Sequence, residues 1–299
     1  MQPFTLRWLI PFTLVVLLLA ACGDTADDSA DTTVAPTTEP TTTATEPTTT
    51  TTEALSAVED PGSGEQWDLV WISDSYGAGV ADAWADRIEE SEGVEVRVHN
   101  YIIGDLDIGN TRFMVTKEQV AANGRLKSYE GIRDELADAE IIVVFGNPRQ
   151  KAPSDVETCA RPGTDSREPP EYHTSADFAP YGDAFRDIYD TIFELRAGQP
   201  TVIRTYDAFA AALADWREAG IEPECTAAWE AQADAIHEAA DEYGVSTASF
   251  YDEFNGTNHD EDAREKGYIA SDGWHQSQDA GVAAQVEVLH ALGYDPIVP

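Results

Sequence analysis

Basic side chains are scarce in this sequence of 299 residues. It has 18 lysines and arginines against 56 aspartates and glutamates, which gives a formal net charge of −38 at pH 7. Proteins bind nucleic acids and other polyanions mainly through lysine and arginine, and a surface of this sign repels such partners. The composition therefore excludes a DNA-binding or RNA-binding protein.

Cysteine is also rare, and the three in the chain are Cys22, Cys159 and Cys225. No Cys-x-x-Cys pair and no histidine-rich spacing accompanies them, so the cysteines give no sign of a metal site. Cys159 and Cys225 remain as an even pair when Cys22 is set aside. In an oxidising compartment such a pair predicts a disulfide, and two separate buried thiols are the alternative.

Long apolar runs are missing except near the amino terminus. Residues 14–20 are apolar and follow Arg7, but the run is shorter than the about 20 residues that span a bilayer as a helix. It ends in Leu19-Ala20-Ala21-Cys22, which resembles a bacterial lipobox. That resemblance implies a signal peptide over residues 1–21, cleavage before Cys22 and a lipid on its sulfur. An ordinary secretory signal is the alternative, and a retained transmembrane helix is less favoured.

The next segment, 22–64, is predicted to be a disordered tether. From residue 23 to residue 64 it has 14 threonines, nine acidic residues and no lysine or arginine. Too little apolar surface is present to offset the entropy of ordering such a chain. We expect the lipid on Cys22 to hold the protein at the outer side of a bacterial cell membrane, which would make the membrane a partner.

Residues 65–299 are long enough for one sizeable domain, and they contain no internal repeat. β-Branched apolar runs alternate there with helical patterns, which predicts an α/β domain with a parallel sheet covered on both faces. The predicted strands are 68–73, 95–103, 140–145, 201–206 and 245–251. The predicted helices are 80–90, 126–139, 181–197, 226–243 and 276–292. The stretch 148–180 fits neither pattern and is predicted to be a loop at the rim of the site, or a surface excursion without a role there.

A serine directly follows the first predicted strand. The sequence Asp74-Ser75-Tyr76-Gly77 comes after an apolar run that ends at Ser73. In an open parallel sheet, ligands bind beyond the carboxyl ends of the strands. Ser75 is therefore a candidate nucleophile, and the alternative is that this pair of polar residues caps the following helix.

A carboxylate and a histidine occur three residues apart near the end of the chain. In Asp272-Gly273-Trp274-His275, the histidine is a candidate general base and the aspartate is the group that would orient it. A capping aspartate ahead of the last predicted helix is the alternative. Together with Ser75, the two residues complete the set that acyl transfer through a serine requires.

The order Ser…Asp-x-x-His resembles the GDSL/SGNH family of serine esterases. The resemblance implies a flavodoxin-like α/β/α sandwich with a five-stranded parallel sheet, and an acyl-enzyme mechanism without metal or cofactor. It implies an oxyanion hole made by the N–H groups of Ser75 and Gly104 and the side chain of Asn147, with Gly109 as the substitute glycine. The chain departs from the family in three places, with Ser73-Asp74-Ser75 for Gly-Asp-Ser, Gly146-Asn147-Pro148 for Gly-x-Asn-Asp, and Gln276-Ser277 for Pro-Ser.

These observations predict an extracytoplasmic serine hydrolase that cleaves carboxylic esters of small molecules or glycans as a monomer. A carbohydrate O-deacetylase that acts on cell-envelope or environmental polysaccharide is the alternative among enzymes. The alternative from another class is a surface lipoprotein that binds a ligand in the same cleft without catalysis. The fold cannot decide among esters, because one fold serves many substrates.

Overall fold

The computed structural model of the protein describes residues 66–104, 106–122, 125–148, 159, 174 and 176–299. The predicted signal peptide, Cys22, the tether and most of the 148–180 segment lie outside the described residues. In the described parts of the chain, every helix is too short or too polar to cross a membrane.

The secondary structure of these residues alternates between strands and helices. The strands are β1 (Gln66–Ser73), β2 (Glu95–Ile102), β3 (Gln119–Ala122), β4 (Arg125–Ser128), β5 (Ile141–Val144), β6 (Val202–Tyr206) and β7 (Ser246–Ala248). The helices are α1 (Val80–Glu92), α2 (Ile108–Lys117), α3 (Ile132–Asp138), α4 (Ala179–Leu195), α5 (Leu213–Ala219), α6 (Glu222–Glu242), α7 (Phe250–Asn255) and α8 (Ala280–Ala291). A short 3₁₀ helix, Ser75–Gly77, follows β1.

Five of the strands form one parallel sheet in the order β2-β1-β5-β6-β7. β5, at the centre of the sheet, is apolar throughout, and all four of its residues are fully buried. Strands that are covered on both faces lose their polar alternation, which is why this segment appears in the sequence as a continuous apolar run. The predicted five-stranded parallel sheet is confirmed.

The direction of strand addition reverses at β1, because β2 lies on one side of it and β5, β6 and β7 follow on the other. Right-handed crossovers in opposite directions place their helices on opposite faces of a sheet. Accordingly α1 packs with α8, whereas α2, α4 and α6 pack together. The result is the predicted three-layer α/β/α sandwich, and the reversal marks the place where such sheets bind ligands.

Three element boundaries correct the predictions. The fifth strand ends at Ala248 rather than at residue 251, because Ser249 caps α7 by accepting the N–H of Asp252. The predicted helix 126–139 begins only at Ile132. Residues 125–128 are instead strand β4, which pairs antiparallel with β3. An Asn-Gly dipeptide between two strands is a sequence signal for a hairpin, and the sequence has one between these two strands. The last helix begins at Ala280 rather than at residue 276, so the Asp-x-x-His motif lies in the loop before it.

Cys159 and Cys225 are joined in a disulfide, and both are fully buried. The indole N–H of Trp216 donates a hydrogen bond of 2.6 Å to the carbonyl of Cys159. Cys159 is therefore fixed to both α5 and α6. Most of the 148–180 segment lies outside the described residues, so its position at the rim of the site stays a prediction.

Candidate active site

The carboxyl ends of β2, β1 and β5 bring the sequence-predicted residues to one edge of the sheet. Ser73 is in register with Ile102, so Gly104 follows its strand beside the segment that carries Ser75. Beyond β5, the backbone N–H of Asn147 donates to Leu106 and its carbonyl accepts from Ile108. Gly109, the substitute for Gly104, lies instead in the first turn of α2.

The sequence left open whether Asp74 and Ser75 cap a helix or supply a nucleophile, and in the structure Asp74 is the residue that caps. We call residues 74–79 the Ser75 turn. One carboxylate oxygen of Asp74 accepts the N–H of Tyr76 at 2.9 Å, which caps the 3₁₀ helix. The side chain of Ser75 is thereby left to point elsewhere, and it is half-buried at the end of β1. Capping and a chemical role for the serine are compatible, because different residues supply them.

The loop that carries His275, residues 268–277, is fixed by its own aspartate. One oxygen of Asp272 accepts the backbone N–H groups of Trp274 and His275, at 2.9 and 3.0 Å. The other oxygen lies 2.7 Å from Nδ1 of the imidazole. Backbone bonds from Ala270 to His275 and from Ser277 to Tyr268 close the His275 loop.

The charge state of Asp272 follows from these contacts. Partial burial raises the pKa of its carboxyl group, but hydrogen bonds from the His275 side chain and from the N–H groups of Trp274 and His275 outweigh it. The pKa of Asp272 therefore lies below its ordinary value. At neutral pH the group is a carboxylate, and it accepts a hydrogen bond from the N–H at Nδ1 of His275.

The structure brings Ser75, His275 and Asp272 into one line of contacts. Nε2 of His275 lies 3.0 Å from Oγ of Ser75, although the two residues are 200 positions apart. Since Nδ1 carries the proton that faces Asp272, Nε2 has the lone pair that accepts the serine hydroxyl. The side chain of His275 is 40% exposed, so solvent and small molecules can reach it. This arrangement can remove a proton from Ser75 and return it to a leaving group.

The three groups that the family resemblance implies as oxyanion donors lie in the segments around the serine. Among the described residues, the backbone N–H groups of Ser75 and Gly104 have no acceptor. The side-chain amide of Asn147 donates to the second oxygen of Asp74 at 3.4 Å, which places it beside the Ser75 turn. These are the three donors that the sequence predicted for an oxyanion hole.

Two buried glutamines that the sequence analysis missed hold the Ser75 turn from the other end of the chain. The amide of Gln276, a residue only 1% exposed, donates to the carbonyls of Ala78 at 2.8 Å and of Ser75 at 3.4 Å. The amide of Gln285 donates to the carbonyl of Tyr76 at 3.1 Å. Gln285 could have been noticed in the sequence, because it is a polar residue among the apolar residues of the last helix. Gln276 stands where the family resemblance has proline, and no motif marks it.

Arg264 also supports the His275 loop and was not found from the sequence. Its guanidinium group makes a two-pronged contact with Asp215 on α5, at 3.0 and 2.7 Å, and donates to the carbonyl of Gly273 at 3.0 Å. A paired arginine fork fixes both position and orientation. The backbone between Asp272 and His275 is thus tied to the body of the domain. Among the described residues, no three histidine, cysteine or carboxylate side chains are grouped as a metal ion would require.

No protein-family model matches the sequence, and no curated protein matches it. Solved structures resemble the fold. A lipase from a goat rumen metagenome has a TM-score of 0.55 at 15% identity, over 77% of this chain and 98% of the lipase. An acetyl xylan esterase from Geobacillus stearothermophilus has a TM-score of 0.49 at 11% identity, over 78% of this chain and 98% of the esterase. A candidate SGNH hydrolase from Slackia heliotrinireducens has a TM-score of 0.41 at 17% identity, over 75% of this chain and 97% of that protein. The chain therefore has the three-layer α/β/α fold, with a parallel sheet of order β2-β1-β5-β6-β7, that it shares with the rumen lipase.

Proposed function

We propose that this protein is a serine hydrolase that cleaves carboxylic esters through Ser75, His275 and Asp272. One observation carries the proposal, namely the line of contacts from Ser75 Oγ to His275 Nε2 at 3.0 Å and from His275 Nδ1 to Asp272 at 2.7 Å. A serine hydroxyl is a weak nucleophile until a base accepts its proton, and a histidine is an effective base once a carboxylate orients it. A protein that only binds its ligand has no need of this alignment.

In the proposed reaction, His275 accepts the hydroxyl proton as Ser75 Oγ attacks the ester carbonyl. The tetrahedral oxyanion accepts hydrogen bonds from the N–H groups of Ser75 and Gly104 and from the amide of Asn147. Its collapse breaks the bond to the leaving alcohol, which takes the proton from His275. Water then attacks the acyl-enzyme with His275 as base, and release of the carboxylic acid restores the hydroxyl of Ser75.

The proposed setting is the outer side of a bacterial cell membrane, with a lipid on Cys22. The support is the sequence Leu19-Ala20-Ala21-Cys22 after a short apolar run. Mass spectrometry of the amino terminus of the protein from membranes tests this. We expect a mature chain that begins at a diacylated Cys22, and an unmodified Met1 would contradict the proposal.

The test of activity uses the chain from residue 23 onward with p-nitrophenyl acetate, butyrate and octanoate. We expect Ser75→Ala to lower kcat by a factor of about 10³ or more, because a serine triad without its nucleophile keeps only residual catalysis. A fluorophosphonate should label the wild type at Ser75. Highest activity on acetate would favour the O-deacetylase alternative, and highest activity on octanoate a lipase-like pocket.

The matched control is Ser271→Ala, which removes an exposed serine from the His275 loop and should keep wild-type activity. Turnover that survives Ser75→Ala would show that Ser75 is not the nucleophile. A folded wild type that neither hydrolyses these esters nor reacts with the fluorophosphonate would favour the ligand-binding alternative.

A further inference from the structure

A buried chain of hydroxyl groups ends on the peptide bond that precedes Ser75. The hydroxyl of Tyr206 on β6 donates to Oγ of Ser73 at 2.7 Å. Oγ of Ser73 donates in turn to the backbone carbonyl of Asp74 at 2.6 Å. Ser73 and Tyr206 are both 0% exposed. Where the family resemblance has a glycine, this chain therefore has a side chain with two hydrogen bonds.

The carbonyl of Asp74 belongs to the same peptide group as the N–H of Ser75. A peptide group is planar and trans, so its carbonyl and its N–H point in opposite directions. The carbonyl accepts a second hydrogen bond, from the N–H of Gly77 at 3.2 Å. Two donors on the carbonyl fix the direction of the opposite N–H. They also polarise the peptide group, which makes that N–H a stronger donor.

Tyr206 is well suited to fix the start of this chain. Its ring stacks between Phe145, at a centroid distance of 4.5 Å, and Phe250, at 4.6 Å. The hydroxyl therefore has little freedom, and the free-energy cost of ordering it is met when the protein folds. Hydrogen bonds in such a dry environment are electrostatically stronger than in water.

Ser73 is packed tightly against the turn that it supports. A methyl group placed on Gly77 would lie 2.2 Å from Oγ of Ser73. Glycine at position 77 thus makes room for the hydroxyl of Ser73, and also for the indole N–H of Trp71, which would lie 2.6 Å from the same methyl group. The N–H of Ser75, at the end of this arrangement, has no acceptor among the described residues and is available to a ligand.

We propose that Tyr206 and Ser73 are positioning residues, which orient and polarise the N–H of Ser75 as an oxyanion donor. The proposal rests on the proposed ester hydrolysis. A donor that is aligned before the reaction stabilises the oxyanion without reorganisation in the transition state. Tyr206 and Ser73 act only through the Asp74–Ser75 peptide and touch no reacting atom.

The alternative is that the two hydroxyls merely satisfy each other in the core. Removal of a buried hydroxyl would then lower stability and leave the kcat of the folded enzyme unchanged. If the chain orients the oxyanion donor, kcat falls while KM stays nearly constant, because the oxyanion exists only in the transition state and the intermediates.

The test measures kcat and KM for p-nitrophenyl acetate, or for the best of the three esters, with Tyr206→Phe, Ser73→Ala and the double variant. We expect each single variant to lower kcat by about tenfold, less than the 10²–10³ that follows complete loss of an oxyanion donor. KM should change by less than about twofold. The double variant should be no slower than Ser73→Ala, because Tyr206 acts only through Ser73. Inactivation by the fluorophosphonate should slow in parallel, since its phosphoryl oxygen takes the place of the oxyanion.

The matched control is Tyr189→Phe, which removes the hydroxyl of another fully buried tyrosine and should keep the wild-type kcat. If Ser73→Ala does not fold, Ser73→Gly supplies the residue that the family resemblance has at this position. Wild-type kcat in folded Tyr206→Phe, or multiplicative losses in the double variant, would overturn the proposal. The Ser75→Ala variant separates this proposal from the proposed ester hydrolysis. If Ser75→Ala keeps its turnover, the proposed hydrolysis through Ser75 fails. If Ser75→Ala is inactive while Tyr206→Phe and Ser73→Ala keep the wild-type kcat, only the positioning role of Tyr206 and Ser73 fails.

Discussion

Two aspartates use both of their carboxylate oxygens in the loops that meet at the site. Asp74 caps the 3₁₀ helix with one oxygen and accepts from the amide of Asn147 with the other. Asp272 accepts two backbone N–H groups with one oxygen and contacts the imidazole of His275 with the other. In each case one oxygen sets the backbone of its own loop and the other orients a side chain. The same carboxylate therefore couples loop shape to the geometry of the site.

Gln276 gives a prediction at the scale of one residue. Gln276→Met keeps the length of the side chain but removes the amide that donates to the carbonyls of Ala78 and Ser75. We expect the free energy of unfolding to fall by about 1–3 kcal/mol, the cost of leaving buried acceptors without a donor. The kcat for ester hydrolysis should fall as well, because the amide joins the His275 loop to the Ser75 turn. Urea unfolding and steady-state kinetics measure the two effects.

The control for this prediction is Gln278→Met, two residues further along the chain. Gln278 is exposed, and its substitution should change neither the urea midpoint nor kcat. A Gln276→Met protein with the stability and kcat of the wild type would show that the amide contributes nothing to the join between the two loops.

At the scale of elements, the sequence predicts those strands and helices whose own residues carry a hydrophobic pattern. β1, β5 and β6 are buried on both faces, so their apolar runs identify them within about two residues. α2 gives no such signal, because its buried residues include Gly109, Asn110 and Thr111. Ser75 and His275 were found because few residue types can serve as nucleophile and base. Tyr206 and Gln276 were not found, since their roles come only from contacts between segments that are distant in sequence.

A histidine and a buried aspartate join α6 to the end of β6. Nε2 of His237 lies 2.9 Å from a carboxylate oxygen of Asp207. That carboxylate is 1% exposed and also accepts from the hydroxyl of Ser249 and the N–H of Tyr251, at the start of α7. The hydrogen bond to Asp207 raises the pKa of His237, and burial opposes it more weakly.

This raised pKa predicts how stability depends on pH. A histidine with a higher pKa in the folded state stabilises the fold fully below its unfolded pKa of about 6.5, and this contribution is lost as pH rises through the folded pKa. The side chain of His237 is 39% exposed, so solvent screening limits the effect to no more than about 1 kcal/mol. We therefore expect the free energy of unfolding of the wild type, relative to His237→Gln, to decrease between pH 6 and pH 8.

Urea unfolding of both proteins at pH 6, 7 and 8 measures this difference. His290→Gln is the control, because His290 contacts the hydroxyl of Tyr294 and no carboxylate among the described residues. If the difference in the free energy of unfolding between the wild type and His237→Gln is constant or grows with pH, the raised pKa of His237 is contradicted.

At the scale of the whole molecule, carboxylates far outnumber the cations that can pair with them. Arginines such as Arg97 and Arg186 each contact carboxylates, yet a formal charge of −38 remains. Like charges on a compact surface repel one another and destabilise the folded state. The same field repels polyanionic substrates, so a neutral or cationic ester is the better match to the proposed site.

The charge predicts that salt stabilises this protein. Raising NaCl from 0.01 to 0.1 M shortens the screening length from about 30 Å to about 10 Å, which weakens the repulsion between distant carboxylates more than it weakens ion pairs in contact. We expect Tm to rise by several degrees over this range at pH 7. The Tm of a domain of this size shifts by about 2–4 °C for each kcal/mol of change in the free energy of unfolding. Scanning calorimetry measures the shift.

Two comparisons separate screening from other effects of salt. KCl should match NaCl, because screening depends on ionic strength and not on the cation. At pH 4, where many carboxylates are protonated, the repulsion is smaller and the rise in Tm should shrink with it. A Tm that falls with salt at pH 7 would instead show that the few contacts such as Arg97–Asp68 and Arg186–Glu242 outweigh the repulsion of the remaining charge. In each of those contacts one side chain is more than half exposed, and ion pairs at the surface contribute at most about 1 kcal/mol each, so the repulsion should dominate.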